Sequence, residues 1–277
     1  MVKVMTFYLD KLLSQILDEK GINKLRNGVM RLRETKDPAW LYHTLSCLYP
    51  DYYGGDVNYR GNYGEFYKTY SIEPHPLPPP RKVSGKDVLE AIASRRSRRS
   101  LHGPIDIVDV STILYYTVGI TGKAWWGGPK RSYPSAGALQ PIEAYVVAYD
   151  VTGLERGLYH YNPGLHALER LGDAPSREEM SYIALEQEHV GNAPLVLILT
   201  AVIARTASKY GYRSYRYVHW DAGRAGENVY LVVEALGLGT VAVGAYYDEE
   251  VCKLLDIDCV GELPMLIYSI GVPHPVE

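Results

Sequence analysis

Four arginines crowd into five positions at Arg95-Arg96-Ser97-Arg98-Arg99-Ser100, the densest charge on the chain. Guanidinium groups so close repel one another unless anions or carboxylates neutralise them, and arginine makes bidentate, charge-assisted bonds to phosphate. A phosphate monoester held by Arg95, Arg96, Ser97 and Arg99 suits this spacing. The plainer reading is a solvated basic helix end that complements the helix dipole. A nucleic-acid patch is disfavoured by the net charge of -3 and the lack of other basic clusters. A second segment, Pro134-Ser135-Ala136-Gly137-Ala138-Leu139-Gln140-Pro141, has prolines at both ends and small residues between. Its backbone can pass close to something flat, and Gln140 can donate and accept along a pyrimidine-like ring edge; otherwise it is an ordinary loop leading into a strand. In a third segment, Glu234 to Thr240, Gly237 and Gly239 end a helix. The strand that follows, Val241 to Tyr247, can turn a backbone N–H toward a ligand edge.

The elements that must position these segments read as α+β. Ser84-Gly85-Lys86-Asp87 opens a helix through Val88, Leu89, Ile92 and Ala93, and a second helix fits Ile107 to Val118. Ile142 to Tyr149 and Ala193 to Thr200 are apolar runs of strand length. Gly157 to Tyr161, the turn Asn162-Pro163-Gly164 and Ala167 to Leu171 form a hairpin. Strands are expected near 240–244 and 265–271. The longest helix, Tyr217 to Leu236, carries Val218, Ala222, Ala225, Val229, Val232 and Leu236 at alternating spacings of four and three. That seam of small residues fits either a helix–helix dimer interface or the core helix of one subunit.

Residues 1–83 differ in character and are expected to be an N-terminal extension, with 84–277 the main domain. Phe7 to Glu19 has helical spacing, and Asp51 to Tyr70 is a Tyr/Gly/Asn-rich loop. Five prolines between Pro74 and Pro80 exclude helix or central strand, leaving a stiff linker strapped over a surface. Hydrophobic residues at 47% suffice for a core, and no apolar stretch is long enough to span a bilayer. Cys47, Cys252 and Cys259, an odd number without a CxxC pair, support neither a disulfide framework nor a metal site, so a cytoplasmic location is expected. The 25 Tyr against 2 Phe have no functional explanation in the sequence.

Taken in order, these segments resemble the nitroreductase superfamily, and within it the SagB-type dehydrogenases. The match is carried by Arg-Arg-Ser-x-Arg at 95–99, Pro-Ser-Ala-Gly-Ala-Leu-x-Pro at 134–141 and Gly157-Leu-Tyr-His-Tyr161. It continues through Lys209-Tyr210-Gly211-x-Arg213-x-Tyr215-Arg216 and Ala-Leu-Gly-Leu-Gly at 235–239. The resemblance implies an FMN-dependent oxidoreductase with a central mixed sheet surrounded by helices, its long helix at a homodimer interface. Arg95, Arg96, Ser97 and Arg99 then fall at the FMN phosphate and ribityl chain. Pro134, Ser135, Ala136 and Gly137 match a segment reaching the flavin from the partner subunit, and Val243 and Gly244 match backbone beside the flavin N5. Lys209 and Tyr210 match a pair associated with catalysis in azoline-oxidising members; without the resemblance they read as a surface lysine and a half-buried tyrosine. Ala138 stands where simple nitroreductases often have Asn, and Arg224 and Glu227 where SagB-type chains commonly have His and Gln. The implied activity is hydride transfer through flavin N5, dehydrogenating thiazolines or oxazolines in a modified peptide, with neither nucleic acid nor membrane as partner. The alternatives are a general reductase of nitro compounds or quinones using NADH or NADPH, and a scaffold of a modification complex without redox turnover.

Overall fold

Residues 142–148 and 195–202 are apolar at almost every position, as strands covered on both faces must be, and they pair antiparallel at the centre of the sheet. The computed structural model describes residues 19–35, 38–47, 66–82, 86–125 and 127–274. The helix expected over residues 7–19 and the loop expected over 51–70 lie mostly outside that range. Helices α1 (Glu19–Thr35) and α2 (Ala39–Ser46) come first, then the edge strand β1 (Pro74–Pro76) and α3 (Val88–Ser94). They are followed by β2 (Leu101–His102), β3 (Ile105–Asp106), α4 (Ile107–Val118), β4 (Ile120–Lys123), β5 (Pro129–Arg131), β6 (Ile142–Ala148) and β7 (Val151–Thr152). Next are β8 (Gly157–Asn162), β9 (Ala167–Gly172), α5 (Arg177–Ile183), α6 (Glu188–Gly191), β10 (Leu195–Val202) and α7 (Ile203–Tyr210). The chain closes with α8 (Ser214–Ala235), β11 (Gly239–Val243), α9 (Asp248–Leu255) and β12 (Glu262–Pro273).

The large sheet runs β1-β9-β8-β6-β10-β12-β11, with β2 also on β12. Its ladders are antiparallel; among the described residues, parallel pairing is confined to β3–β7 and a Ser97–Thr240 bridge beside β11. Alternation sorts the strand residues between two cores. Ile142, Ala144, Val146 and Ala148 pack with α4 and α8, whereas Tyr145 and Val147 pack with α5, α6 and α9 on the other face. The Pro-rich segment joins the sheet only at its edge, where Pro74–Pro76 pairs with Ala167–Glu169, because proline lacks the donor a central strand needs. Beyond β1, Leu77 donates its N–H to the His166 carbonyl and Arg81 donates its own to Thr112 Oγ1, so the strap is tied down along its length.

The cap of α3 is Asp87, the last residue of the run expected to open this helix; its carboxylate accepts from the Glu90 N–H at 2.9 Å. One expectation is corrected: Cys252 and Cys259 form a disulfide. The chain reverses just after α9 through left-handed Asp256 (φ 52°), bringing the two Cα atoms to 5.7 Å. With two of the three cysteines paired, a reducing compartment no longer follows from them. No helix among the described residues is long and apolar enough to cross a membrane.

One end of the sheet buries charge. Glu143 and His160 are fully buried, Glu169, Glu262 and Arg205 nearly so. Glu143 Oε1 accepts from Arg205 at 2.5 Å and from the Lys68 backbone N–H at 3.0 Å, while Oε2 faces His160 Nε2 at 3.1 Å. His160 Nδ1 lies 2.8 Å from Glu169, whose other oxygen takes the Asn162 amide. Lys68 Nζ reaches Tyr145 Oη at 2.7 Å and Glu262 at 2.8 Å, and Glu262 also accepts from Tyr145 and Thr200. Both nitrogens of His160 face carboxylates, so both must donate and the ring is an imidazolium. Burial opposes that charge, but bonds to Glu143 and Glu169 outweigh it and raise the His160 pKa. Burial likewise opposes ionisation of Glu143, yet Arg205 and His160 hold its pKa at about 2.

These shifts set a pH window. The carboxylate contribution is lost as pH falls through the depressed Glu143 value. The His160 contribution is complete below the unfolded value of about 6.5 and lost as pH rises through its raised folded value. Replacing His160 by Gln is expected to cost about 3 kcal/mol at mildly acid pH and to flatten the alkaline decline in thermal unfolding midpoint. An unchanged alkaline decline would assign the titration to another group.

Candidate functional site

The segments singled out by sequence hang on α8, which the fold threads between sheet and solvent. Val218, Ala222, Ala225 and Val229 are buried in the core of their own chain, with Val232 and Leu236 packed against it. The small-residue seam is therefore spent within the chain's own core, against α4 and the sheet. Its small side chains let α8 approach β12 closely: a Cβ at Gly226 would collide with the Tyr268 hydroxyl. At ~100° per residue, Tyr215, His219 and Tyr230 share one face of α8, and Asp221, Arg224 and Asn228 share nearly the opposite one. Trp220, Gly223 and Glu227 lie between them and are exposed, and a Cβ at Gly223 would meet nothing within 4 Å.

The arginine cluster sits on the first face. Arg95 stacks over the Tyr230 ring at 5.2 Å, and Ser97 Oγ lies 3.1 Å from the Tyr230 hydroxyl. Arg98 donates its backbone N–H to the Thr240 carbonyl. Among the described residues Arg96 bonds the carbonyls of Ala93 and Arg95, and Arg99 is exposed. Among the described residues no carboxylate pairs with Arg95, Arg96 or Arg99, while Glu234, which could have done so, is taken by Lys86 and Ser94. Thr240 beside them keeps a buried hydroxyl with no partner. From Thr240, β11 runs to buried Val243 and on to exposed Gly244, roughly 13 Å away at strand rise. Gly244 opens onto a cleft of ≈ 380 Å³ lined by Tyr215, His219, Tyr246 and Met265.

On the opposite face, Ser135 donates to Asp221 at 2.7 Å and the Ala136 N–H points to the same carboxylate. Burial raises the Asp221 pKa, with Ser135, Ala136 and Arg224 pulling against it. Pro134 and Gly137 are exposed, and the loop turns through left-handed Gly137, Ala138 and Gln140. The Gln140 side chain is buried: its Nε2 donates to the Pro129 carbonyl and its Oε1 has no protein partner. Lys209 and Tyr210 come to this loop from α7. A Cβ built at Gly137 would lie 2.7 Å from the Tyr210 hydroxyl and 3.3 Å from Lys209 Nζ. Lys209 is exposed, Tyr210 half-buried, and the ammonium stands 5.4 Å from the Tyr210 ring centre.

The structure thus brings together Lys209, Tyr210 and Pro134–Gly137 on one side of α8, and on the other it strings Arg95–Arg99, Val243 and Gly244 out along β11. Two further residues of the Lys209–Arg216 run hold α2: Arg213 donates to the Ser46 carbonyl at 3.0 Å, and Arg216 to Ser46 Oγ and the His43 carbonyl. Sequence reasoning missed the buried network that includes Arg205. Its signal was available as charged residues set into otherwise apolar strands.

The nitroreductase family model matches residues 92–272. A protein of Methanocaldococcus jannaschii named as a nitroreductase is 39% identical over 195 residues, covering 70% of this chain and 94% of its own. The microcin B17-processing protein McbC of Escherichia coli is 27% identical over 241 residues, 78% of this chain and 88% of McbC. A nitroreductase structure from Ralstonia eutropha superposes with a TM-score of 0.61 at 26% identity, covering 76% of this chain and 98% of its own. With about two-thirds of its length inside the family model, the chain belongs to the nitroreductase family of oxidoreductases.

Proposed function

We propose that the protein is an FMN-dependent dehydrogenase of the SagB type, working as a homodimer in which each flavin is held by one subunit and faced by its partner. The observation that carries this reading is the meeting of Lys209 and Tyr210 with Gly137, which gives the flat-ligand segment an acid–base pair. The residues present fit FMN. Three arginines without carboxylate partners among the described residues, Ser97 and the orphan Thr240 hydroxyl suit a phosphate. At the far end of β11, Val243 packs its side chain into the core and exposed Gly244 has none, leaving backbone open to a flat ring. The two groups of residues lie on opposite faces of α8, so one chain cannot close both around one ligand. A second copy seated on the exposed Trp220–Gly223–Glu227 stripe between them brings the faces of different subunits together. Apolar Val88, Leu89 and Ile92 on the solvent side of α3 support such an association.

FMN, when bound, supplies a hydride acceptor at N5. Turning a thiazoline or oxazoline into its aromatic azole also releases a proton from the neighbouring carbon. Tyr210 is the group that takes it, with the Lys209 ammonium 5.4 Å from its ring centre. The name of McbC, a peptide-processing protein, supports a peptide as carrier of that ring. A second reading, an NADH- or NADPH-using reductase of nitro compounds or quinones, draws support from the 39% identity to the archaeal nitroreductase.

Denaturation of the purified protein is expected to release about one FMN per subunit, counting two shared sites per dimer. Tyr210→Phe should keep the flavin and lose turnover of a thiazoline peptide; unchanged turnover would remove Tyr210 from the chemistry. Rapid bleaching by NADH or NADPH followed by reduction of a nitroarene, with no action on the peptide, would select the second reading. Gly223→Leu should leave the circular dichroism of the subunit intact while halving the solution mass and weakening flavin retention. A flavin-loaded dimer of that variant would place the interface elsewhere.

A further inference from the structure

Gln140 is the point where the flat-ligand loop is forced hardest. Its φ of 52° lies in the left-handed region that only glycine enters freely, and Ala138 at 56° shares the strain. Such a loop relaxes unless its surroundings hold it. At Gln140 the N–H donates to Ser135 Oγ at 2.9 Å, the side-chain amide to Pro129, and the carbonyl accepts from Arg205 Nη1 at 3.2 Å. Arg205 is the one of these groups that does not belong to the loop or its neighbouring strand. It sits on α7, one helical turn before Lys209. Its other nitrogen is fixed to Glu143, which cannot move: that carboxylate also takes the Lys68 N–H and faces His160 in the buried end of the sheet.

We propose that Arg205 is a positioning residue, whose guanidinium fork sets the register between the Pro134–Pro141 loop and the Lys209–Tyr210 pair by bonding the Gln140 carbonyl and Glu143 at once. One prong holds the loop, the other holds the sheet, and the helix that carries the fork also carries the pair. The planar fork holds the two acceptors at a fixed spacing and angle, whereas a lysine ammonium is a point charge on a flexible stem. The inference rests on the functional reading above for its catalytic consequence, but the tether itself is a property of the chain with or without flavin.

Arg205→Lys keeps the charge beside Glu143 and removes the fork. Amide hydrogen exchange over Ala136 to Gln140 is expected to accelerate about tenfold or more in both flavin-free and flavin-loaded protein. FMN stays bound, and kcat for a thiazoline peptide falls about tenfold with little change in KM, as a small misplacement of reacting groups predicts. Glu169→Gln, equally buried in the same network but without contact to the loop, serves as the control and should leave loop exchange and kcat near wild type even if unfolding becomes easier. Should Arg205→Lys not fold, the paired variant Glu143→Gln with Arg205→Gln, neutral and still able to bond across the pair, carries the same expectation. Loop exchange unchanged on loss of the fork, or raised equally by Glu169→Gln, overturns the proposal. If the wild-type protein takes up no FMN, the functional reading fails, while the exchange measurement on the flavin-free chain still decides the role of Arg205.

Discussion

A single helix must do two incompatible things, and the rest of the molecule is arranged around that constraint. α8 has to pack tightly enough against the sheet to be the spine of one core, which its Val and Ala seam achieves. It also carries Tyr215, His219, Trp220, Arg224 and Glu227 exposed to solvent. The first demand takes the seam; what remains are two lateral faces and an exposed stripe between them. Tyr230 and its neighbours gather the arginine cluster and β11 on one side, and Asp221 gathers the Pro134–Pro141 loop on the other. The helix keeps these groups apart in space, and the proposed dimer is what would bring them together.

The other organising force is buried charge. Three carboxylates, an imidazolium, a lysine and an arginine meet at one end of the sheet, each with partners. A network of this kind is expensive to leave incomplete. It therefore makes the segment from Phe66 to Lys82 part of the architecture: Lys68 closes one side, and Tyr70 lies over His160 with ring centres 5.1 Å apart. Through Glu143 and Arg205 the same network reaches the strained loop, so stability at the sheet end and geometry at the ligand loop are coupled through one carboxylate.

Local signals made much of this legible. α4 begins and ends where expected because Asp106 caps it and Gly119 stops it. The hairpin turn holds because Asn162 Oδ1 accepts the N–H groups of Gly164 and Leu165. β10 starts two residues later than its apolar run suggests, since the Pro194 carbonyl is taken by Tyr149 and Asp150 in a turn. What could not be read depends on distant partners. The Cys252–Cys259 pairing follows from a reversal at Asp256, and the face of α8 that meets solvent is decided by which other residues cover it. The tyrosine excess acquires a partial physical account in the same way. Tyr145, Tyr159 and Tyr161 are buried and spend their hydroxyls on Glu262, the Glu155 carbonyl and His166, bonds that phenylalanine could not make.

The central claim is that each flavin site is shared between two copies, and mixed dimers test it most directly. One variant would lack the phosphate arginines Arg95 and Arg99, the other would carry Tyr210→Phe, and each alone should be inactive. After the two are unfolded, mixed and refolded together, half the dimers are expected to be hybrids, each with one site that draws its arginines from one subunit and its Tyr210 from the other. Shared sites predict recovery of about a quarter of the wild-type turnover. No recovery, from hybrids shown to have formed, would mean that both groups serve the same ligand within one chain and would contradict the account.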